Sequence, residues 1–158
     1  MFGKFEHMKK VFGVLSFLAI TALASAQIAS PVSWSFVGKK VSENLYEVQM
    51  TATLQSGWHL YAQAQPQDAI AIPTTFQFAN NPLVQLDGKV KEAGKMEKFT
   101  DKDLGVSANQ YSKQVVFTQR VKLKGKAKSN VSGNVTYQTC DDKKCLPPKT
   151  VTFNIALK

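Results

Sequence analysis

The sequence predicts an all-β protein, an immunoglobulin-like antiparallel β-sandwich, on three observations. Apolar and polar residues alternate with period two over four separate stretches, the pattern of strands buried on one face. No segment beyond residue 26 shows a helical period. Seven or more strand candidates fall within the 132 residues 27–158, which suits two packed sheets. A small closed barrel is the alternative architecture.

The first 26 residues read as a cleaved leader. Lys9 and Lys10 precede the apolar run Val11 to Leu23, and Ala24-Ser25-Ala26 supplies the small-residue pattern of a secretory cleavage site. Met8 serves equally well as the start. An uncleaved membrane anchor, the alternative, wants roughly 20 apolar residues, more than this run supplies. Cleavage after Ala26 puts Gln27 first, with no cysteine to carry a lipid, and predicts one exported domain over residues 27–158 that is not membrane-embedded.

Within that domain Val32–Val37 is the first strand candidate. In Leu45–Leu54, Tyr46, Val48, Met50, Ala52 and Leu54 share a face, opposite Glu47, Gln49, Thr51 and Thr53. Trp58–Ala62, Thr74–Ala79 and Leu83–Leu86 are shorter candidates. From Gly88 to Ser112 the rhythm breaks into a run rich in Lys, Glu and Asp with glycines at 94 and 105. It is expected to be a long irregular connection, either functional or plain surface decoration. Alternation then returns. Val115, Phe117, Val121 and Leu123 share one face, as do Val131, Gly133, Val135 and Tyr137, and finally Val151, Phe153, Ile155 and Leu157.

The 17 basic and 10 acidic residues beyond position 26 leave a net charge of +7. Nucleic-acid binding is not expected. The lysines are spread out, and the densest group, Lys122, Lys124, Lys126 and Lys128, surrounds a turn-like Gly125 without the aromatics that base stacking needs. It reads as a solvated strand end and turn. An acidic partner or an anionic membrane surface stays open. His59 is the only histidine after position 26, and a single C-x4-C is a poor zinc signature, so no metal and no cofactor are expected. His59 reads as a strand residue beside Trp58 and Tyr61 rather than as a base for Cys140. Asn130-Val-Ser and Asn134-Val-Thr match the glycosylation pattern but fall in a strand.

The two cysteines, Cys140 and Cys145, are the remaining chemistry. An exported chain with an even cysteine count suggests a disulfide. Extended alternation puts Cys140 on the parity of Asn134, Thr136 and Gln138, the polar face. The chain-entropy model gives a six-residue loop about 2 kcal/mol, against about 4.7 for 100 residues, so the bridge is a weak staple. Pro147 and Pro148 fix the backbone just beyond it and could hold the bridge at an exposed edge. Asp141, Asp142, Lys143 and Lys144 push thiol acidity in opposite directions. On these features the pair is a redox site or a structural clip.

The stretch Val135 to Pro148, VTYQTCDDKKCLPP, resembles the N-terminal periplasmic domain of DsbD, the bacterial thiol:disulfide interchange protein, a family with a V-x-Y-Q-x-C…C-x-P-P pattern near its C-terminal end. Gly57-Trp58-His59-Leu60-Tyr61 resembles its G-aromatic-x-L-Y strand, and Tyr111 fits a tyrosine ahead of its next strand. The likeness spans most of residues 30–158. It implies an immunoglobulin-like fold with both cysteines on a hairpin, a periplasmic location, and a protein-disulfide reductase relay. Electrons would come from a membrane protein and pass to oxidised thioredoxin-like partners. Carried over, Cys140 is the attacking thiol, Cys145 the resolving one, and Tyr61 lies near them.

Three departures from the family pattern stand out. The cysteines are one residue closer. The aromatic Phe-Tyr-Gly cap has Asp103-Leu104-Gly105 as its nearest match, with Phe99 a candidate substitute. No membrane domain occurs before Lys158, so the expected donor is a separate polypeptide. A secreted binding or adaptor module with a permanent Cys140–Cys145 clip is the other reading.

Overall fold

The computed structural model describes residues 30–158, so the leader expected over residues 1–26 lies outside the described residues. Nine strands follow in order: β1 (Val32–Lys40), β2 (Leu45–Leu54), β3 (His59–Tyr61), β4 (Thr75–Phe78), β5 (Val84–Asp101), β6 (Val106–Leu123), β7 (Ser129–Tyr137), β8 (Thr139–Cys140) and β9 (Lys149–Leu157). Among the described residues there is no helix. The larger sheet has the order β1-β2-β6-β3-β8, with β5 also on β6, and the smaller has the order β4-β7-β9. Every pairing is antiparallel. This is an immunoglobulin-like β-sandwich.

The alternation read from sequence decides which faces close on each other. Val48, Met50 and Ala52 of β2 and Val115, Phe117 and Val121 of β6 are fully buried, and they face Val131, Val135 and Tyr137 of β7 with Phe153, Ile155 and Leu157 of β9. Trp34 joins the layers, with its ring 5.9 Å from that of Phe117 and 5.3 Å from that of Tyr137. Gln119 is the exception on the apolar face. It is buried, and its Nε2 donates to the carbonyls of Arg120 at 2.7 Å and Gly88 at 3.2 Å. The β5–β6 register shifts between Asp87 and Lys91, so the side-chain amide takes a carbonyl beside the gap in the ladder.

β6 is long enough to serve two neighbours along one edge. Gln114 to Lys122 pair with β2, and Gln110 to Ser112 pair with β3. Lys113 sits at the junction with φ of 67°, the left-handed region that a side chain tolerates only where its surroundings hold it. Gly57 (φ 81°) turns the chain from β2 toward β3.

One expectation is overturned. Residues 88–112 form no irregular connection but the distal part of the β5–β6 hairpin, with register shifts at Asp87/Lys91 and Gly94/Met96. β5 is an edge strand whose residues are mostly exposed, so it carries charge on both faces and shows no alternation. The lysines after Leu123 behave as read: Lys124, Lys126 and Lys128 are exposed in the β6–β7 connection, where Gly125 has φ of 91°.

Candidate functional site

The site begins where the chain changes sheets. Tyr137 is the last residue of β7 and still pairs with Lys149 of the smaller sheet. Two residues on, Thr139 pairs with Leu60 of the larger one. Gln138 makes the crossing and anchors it. Its Nε2 donates to the Leu146 carbonyl at 3.2 Å, and its Oε1 accepts from the Ile72 N–H at 3.3 Å.

Beyond the crossing the chain folds back in a tight turn. The Asp141 N–H donates to the Lys144 carbonyl at 2.9 Å, and the Leu146 N–H donates to the Thr139 carbonyl at 2.9 Å. Cys140 and Cys145 are the opposed pair between those two bonds, with Cα atoms 4.0 Å apart, and they are joined by a disulfide. A non-hydrogen-bonded pair is where opposite strands approach most closely. The charged tetrad thereby acquires a structural role. Asp141 Oδ1 accepts from the Lys143 N–H at 2.8 Å and the Lys144 N–H at 2.7 Å, an Asx-turn that fixes the loop. The Lys143 N–H is the main reason that the Asp141 carboxyl sits below its usual value.

Cys140 lies on the outer face of the larger sheet. It pairs with His59, so it shares that residue's side, whereas Leu60 turns into the main core. The parity reading therefore has the face right and the exposure wrong. Cys140 is 2 % exposed, because Tyr61, Ala108 and Ala71 cover it. Cys145 is exposed.

The Tyr61 hydroxyl donates to Cys140 Sγ at 3.0 Å and lies 3.9 Å from Cys145 Sγ. Burial pushes the Tyr61 phenol above its usual value, so it remains a proton donor. The segment that brings Ala71 over the site is pinned at several points. Thr74 Oγ1 donates to the Tyr61 carbonyl at 2.6 Å, the Gln63 N–H to Glu92 Oε2 at 3.0 Å, and Gln65 Nε2 to the Asn109 carbonyl at 2.7 Å.

His59 stands between Ser112 of β6 and Cys140 of β8, with its ring edge-on to Tyr61 at 5.5 Å. It is a strand residue beside an aromatic, as read. Its place directly across from Cys140 depends on strand pairing, which the sequence does not display. Burial lowers its pKa, opposed by the charges of Asp142, Asp141 and Glu97.

The candidate cap residues lie on the β5–β6 hairpin and its tip. Phe99 pairs with Ala108 on the hairpin and is half exposed. Asp103 and Leu104 form the hairpin tip, where Leu104 is 72 % exposed and both N–H groups donate to Asp101 Oδ1. Phe99 is thereby opposite a member of the cluster around Cys140, since Ala108 packs there with Tyr61, while Asp103 and Leu104 stand at the hairpin tip. The residues missed from sequence are Ala71, Ala108 and Gln138, of which only Gln138 carried a signal, its place in the V-x-Y-Q-x-C pattern. Among the described residues no group of three His, Cys, Asp or Glu side chains gathers to hold a metal ion.

Fold and site together define a β-sandwich domain with a short-loop disulfide on a hairpin at the sheet edge, one sulfur buried under a tyrosine and the other cysteine open to solvent. The family model for the N-terminal part of the thiol:disulfide interchange protein DsbD matches residues 27–157, and the chain belongs to that family. Among solved structures it is similar to the N-terminal periplasmic domain of ScsB from Proteus mirabilis, at 17 % identity and a TM-score of 0.55 over 80 % of this chain. The chain spans only 45 % of that structure. It is also similar to the reduced DsbD N-terminal domain of Neisseria meningitidis, at 18 % identity and a TM-score of 0.52, covering 80 % of this chain and 85 % of that one. No curated protein matches the sequence.

Proposed function

We propose that the chain, freed of a leader over residues 1–26, is a periplasmic domain over residues 27–158 that exchanges its Cys140–Cys145 disulfide with thioredoxin-like partners. It relays to them electrons from a separate membrane donor. The observation that carries this reading is the asymmetry of the pair: Cys145 is exposed, and Cys140 is 2 % exposed beneath the Tyr61 hydroxyl.

On that asymmetry we assign the first encounter to Cys145 rather than to Cys140, because a partner sulfur reaches the exposed cysteine first. In the reduced protein the Cys145 thiolate attacks one sulfur of a partner disulfide. A Cys145–partner bond forms, and the other partner sulfur leaves as a thiolate that takes up a proton. The Cys140 thiolate then attacks Cys145 Sγ, the bond to the partner breaks, and the partner leaves as a dithiol carrying two electrons. A donor dithiol reopens the bridge by the same two steps in reverse. Tyr61 donates to Cys140 Sγ throughout and stabilises it as a thiolate.

Equilibration with thiol buffers tests the reading. Structural bridges have potentials below about −300 mV and labile ones lie higher. A bridge that opens above that value supports exchange, and one that stays closed below it leaves a structural clip. Trapping separates the roles. A Cys140→Ala protein is expected to capture a partner through Cys145 as a stable mixed disulfide, and a Cys145→Ala protein to capture little. The opposite pattern would restore Cys140 as the first sulfur.

A further inference from the structure

The geometry points to His59 as a positioning residue for this chemistry: protonated, its imidazole holds the reduced Cys140 sulfur as a thiolate across the β3–β8 pair. The inference rests on the exchange reading for its biological use, though not for its physical content.

Register comes first. His59 and Cys140 are direct partners in an antiparallel ladder, and opposed residues there carry their Cβ atoms about 4.5–5.5 Å apart on one side of the sheet. Tyr61 closes the group from the same strand, with its ring edge-on to His59 at 5.5 Å and its hydroxyl 3.0 Å from the sulfur. A thiolate at Cys140 therefore keeps the Tyr61 hydroxyl as a donor, and the register sets the imidazole on the same side of the sheet, on the residue directly opposite. Among the described residues His59 is the only histidine, the one side-chain type that ordinarily changes charge between pH 5 and 8.

The charged groups around the imidazole come from three elements. The turn after β8 brings Asp141 and Asp142, together with Lys143 and Lys144. β5 brings Glu97, whose Oε2 accepts from the Ser112 hydroxyl at 2.9 Å, and Ser112 is the partner of His59 on β6. Tyr61 faces it on β3. Asp141 is already engaged by its own turn amides. With the disulfide closed, burial outweighs the three acids and keeps the imidazole neutral more readily than usual. Reduction places a negative sulfur beside it, and opposite charges at this range favour both ionised forms.

The proton balance closes. Two electrons and two protons reduce the bridge, one proton resting on Cys145 and the other on His59 instead of on Cys140. In the resolving step the Cys140 thiolate bonds to Cys145 Sγ, and the partner sulfur leaves as a thiolate. That sulfur takes up, through solvent, the proton that His59 releases as the charge beside it disappears.

A Cys145→Ala background isolates Cys140 as the one thiol, and its thiolate absorbance is followed against pH with and without His59→Phe. Phenylalanine keeps a ring edge against Tyr61 and removes the proton. An adjacent cation lowers a thiol pKa by one unit or more, so His59→Phe is expected to cut the thiolate fraction near neutral pH about tenfold. In the protein that keeps His59 the imidazole resonances should titrate at higher pH than in the disulfide form. His59→Gln, a neutral polar replacement, is expected to match His59→Phe and guards against disturbed packing. An unchanged thiolate titration in both variants, or an imidazole that titrates alike in both redox states, overturns the inference. Reduction of the intact bridge is scored separately. A bridge that never opens removes the exchange reading, while the bridge-free titration still decides whether His59 and Cys140 are coupled.

Discussion

Replacing Tyr61 with Phe removes one hydroxyl from the site and leaves its ring in place. In the closed form the loss is small, since a disulfide sulfur is a weak acceptor. In the reduced form the hydroxyl that lies 3.0 Å from Cys140 Sγ becomes a donor to a thiolate, and hydrogen bonds to charged groups are worth about 1.5–3 kcal/mol. One pKa unit corresponds to about 1.36 kcal/mol, so the Cys140 thiol should rise by roughly one to two units. Below that pKa the thiolate fraction falls about tenfold per unit, while nucleophilicity recovers about threefold per unit at a Brønsted slope of about 0.4–0.5. The net expectation is a resolving step roughly four to twelve times slower. Thiolate absorbance in a Cys145→Ala protein measures the first quantity, and release of a small disulfide partner under single-turnover conditions measures the second. An unchanged thiol titration in Tyr61→Phe would show that the hydroxyl does not stabilise the reduced sulfur, and the role assigned to it would fall.

Other expectations concern the turn, the smaller sheet and the alkaline limit. Asp141→Ala should lower Tm and loosen the Cys140–Cys145 turn, while Asp141→Asn, which can still accept from the Lys143 and Lys144 amides, should do so much less. Because the folded carboxyl lies below its ordinary value of 3.8, its contribution is present above that pH and fades as pH falls through the folded value. Thermal melts of the three proteins across the acid range check this. Gly133→Ala should destabilise by about 1–3 kcal/mol or more, since its Cβ would run into the Gln77 carbonyl and lie 2.8 Å from Phe153 Cζ; urea unfolding measures the loss. The buried Tyr111 phenol is pushed up to about 12, chiefly by burial and then by the Glu92 charge. The folded state therefore keeps a proton that the unfolded chain releases, and stability should decline from pH 10 toward 12, less steeply in Tyr111→Phe.

The sheet faces were legible wherever one side of a strand is buried. The alternation in Leu45–Leu54 and Val151–Leu157 marks the residues that the sandwich encloses, because period-two polarity is itself the record of one wet and one dry face. β5 was illegible for the same reason, as an edge strand on a hairpin with little buried surface imprints no pattern. The cysteine hairpin was half legible. Its motif gave the family resemblance and the disulfide partners, and parity placed Cys140 off the main core. Its burial came from Ala71 and Ala108, small residues in segments that no local pattern ties to residue 140. His59 shows the same limit from the other side. Its local surroundings were readable, but its partner across the ladder is set by where β8 lands after the chain changes sheets at Gln138.

That crossing also bears on why a weak bridge is set in a rigid frame. With a sequence separation of 5, the disulfide adds only about 2 kcal/mol through chain entropy, far less than a bridge between the two sheets would. The hairpin does not depend on it. The Thr139–Leu146 bond, the Asp141 turn and the Gln138 anchor hold both arms without the sulfurs, and β8 is paired to β3 through His59 and Leu60. Opening the bridge is therefore expected to cost the fold little. A staple selected for stability would be placed where loop closure is long. The proposed exchange is better served here, where backbone and side-chain bonds hold both arms independently of the sulfurs and the Tyr61 hydroxyl lies 3.0 Å from Cys140 Sγ.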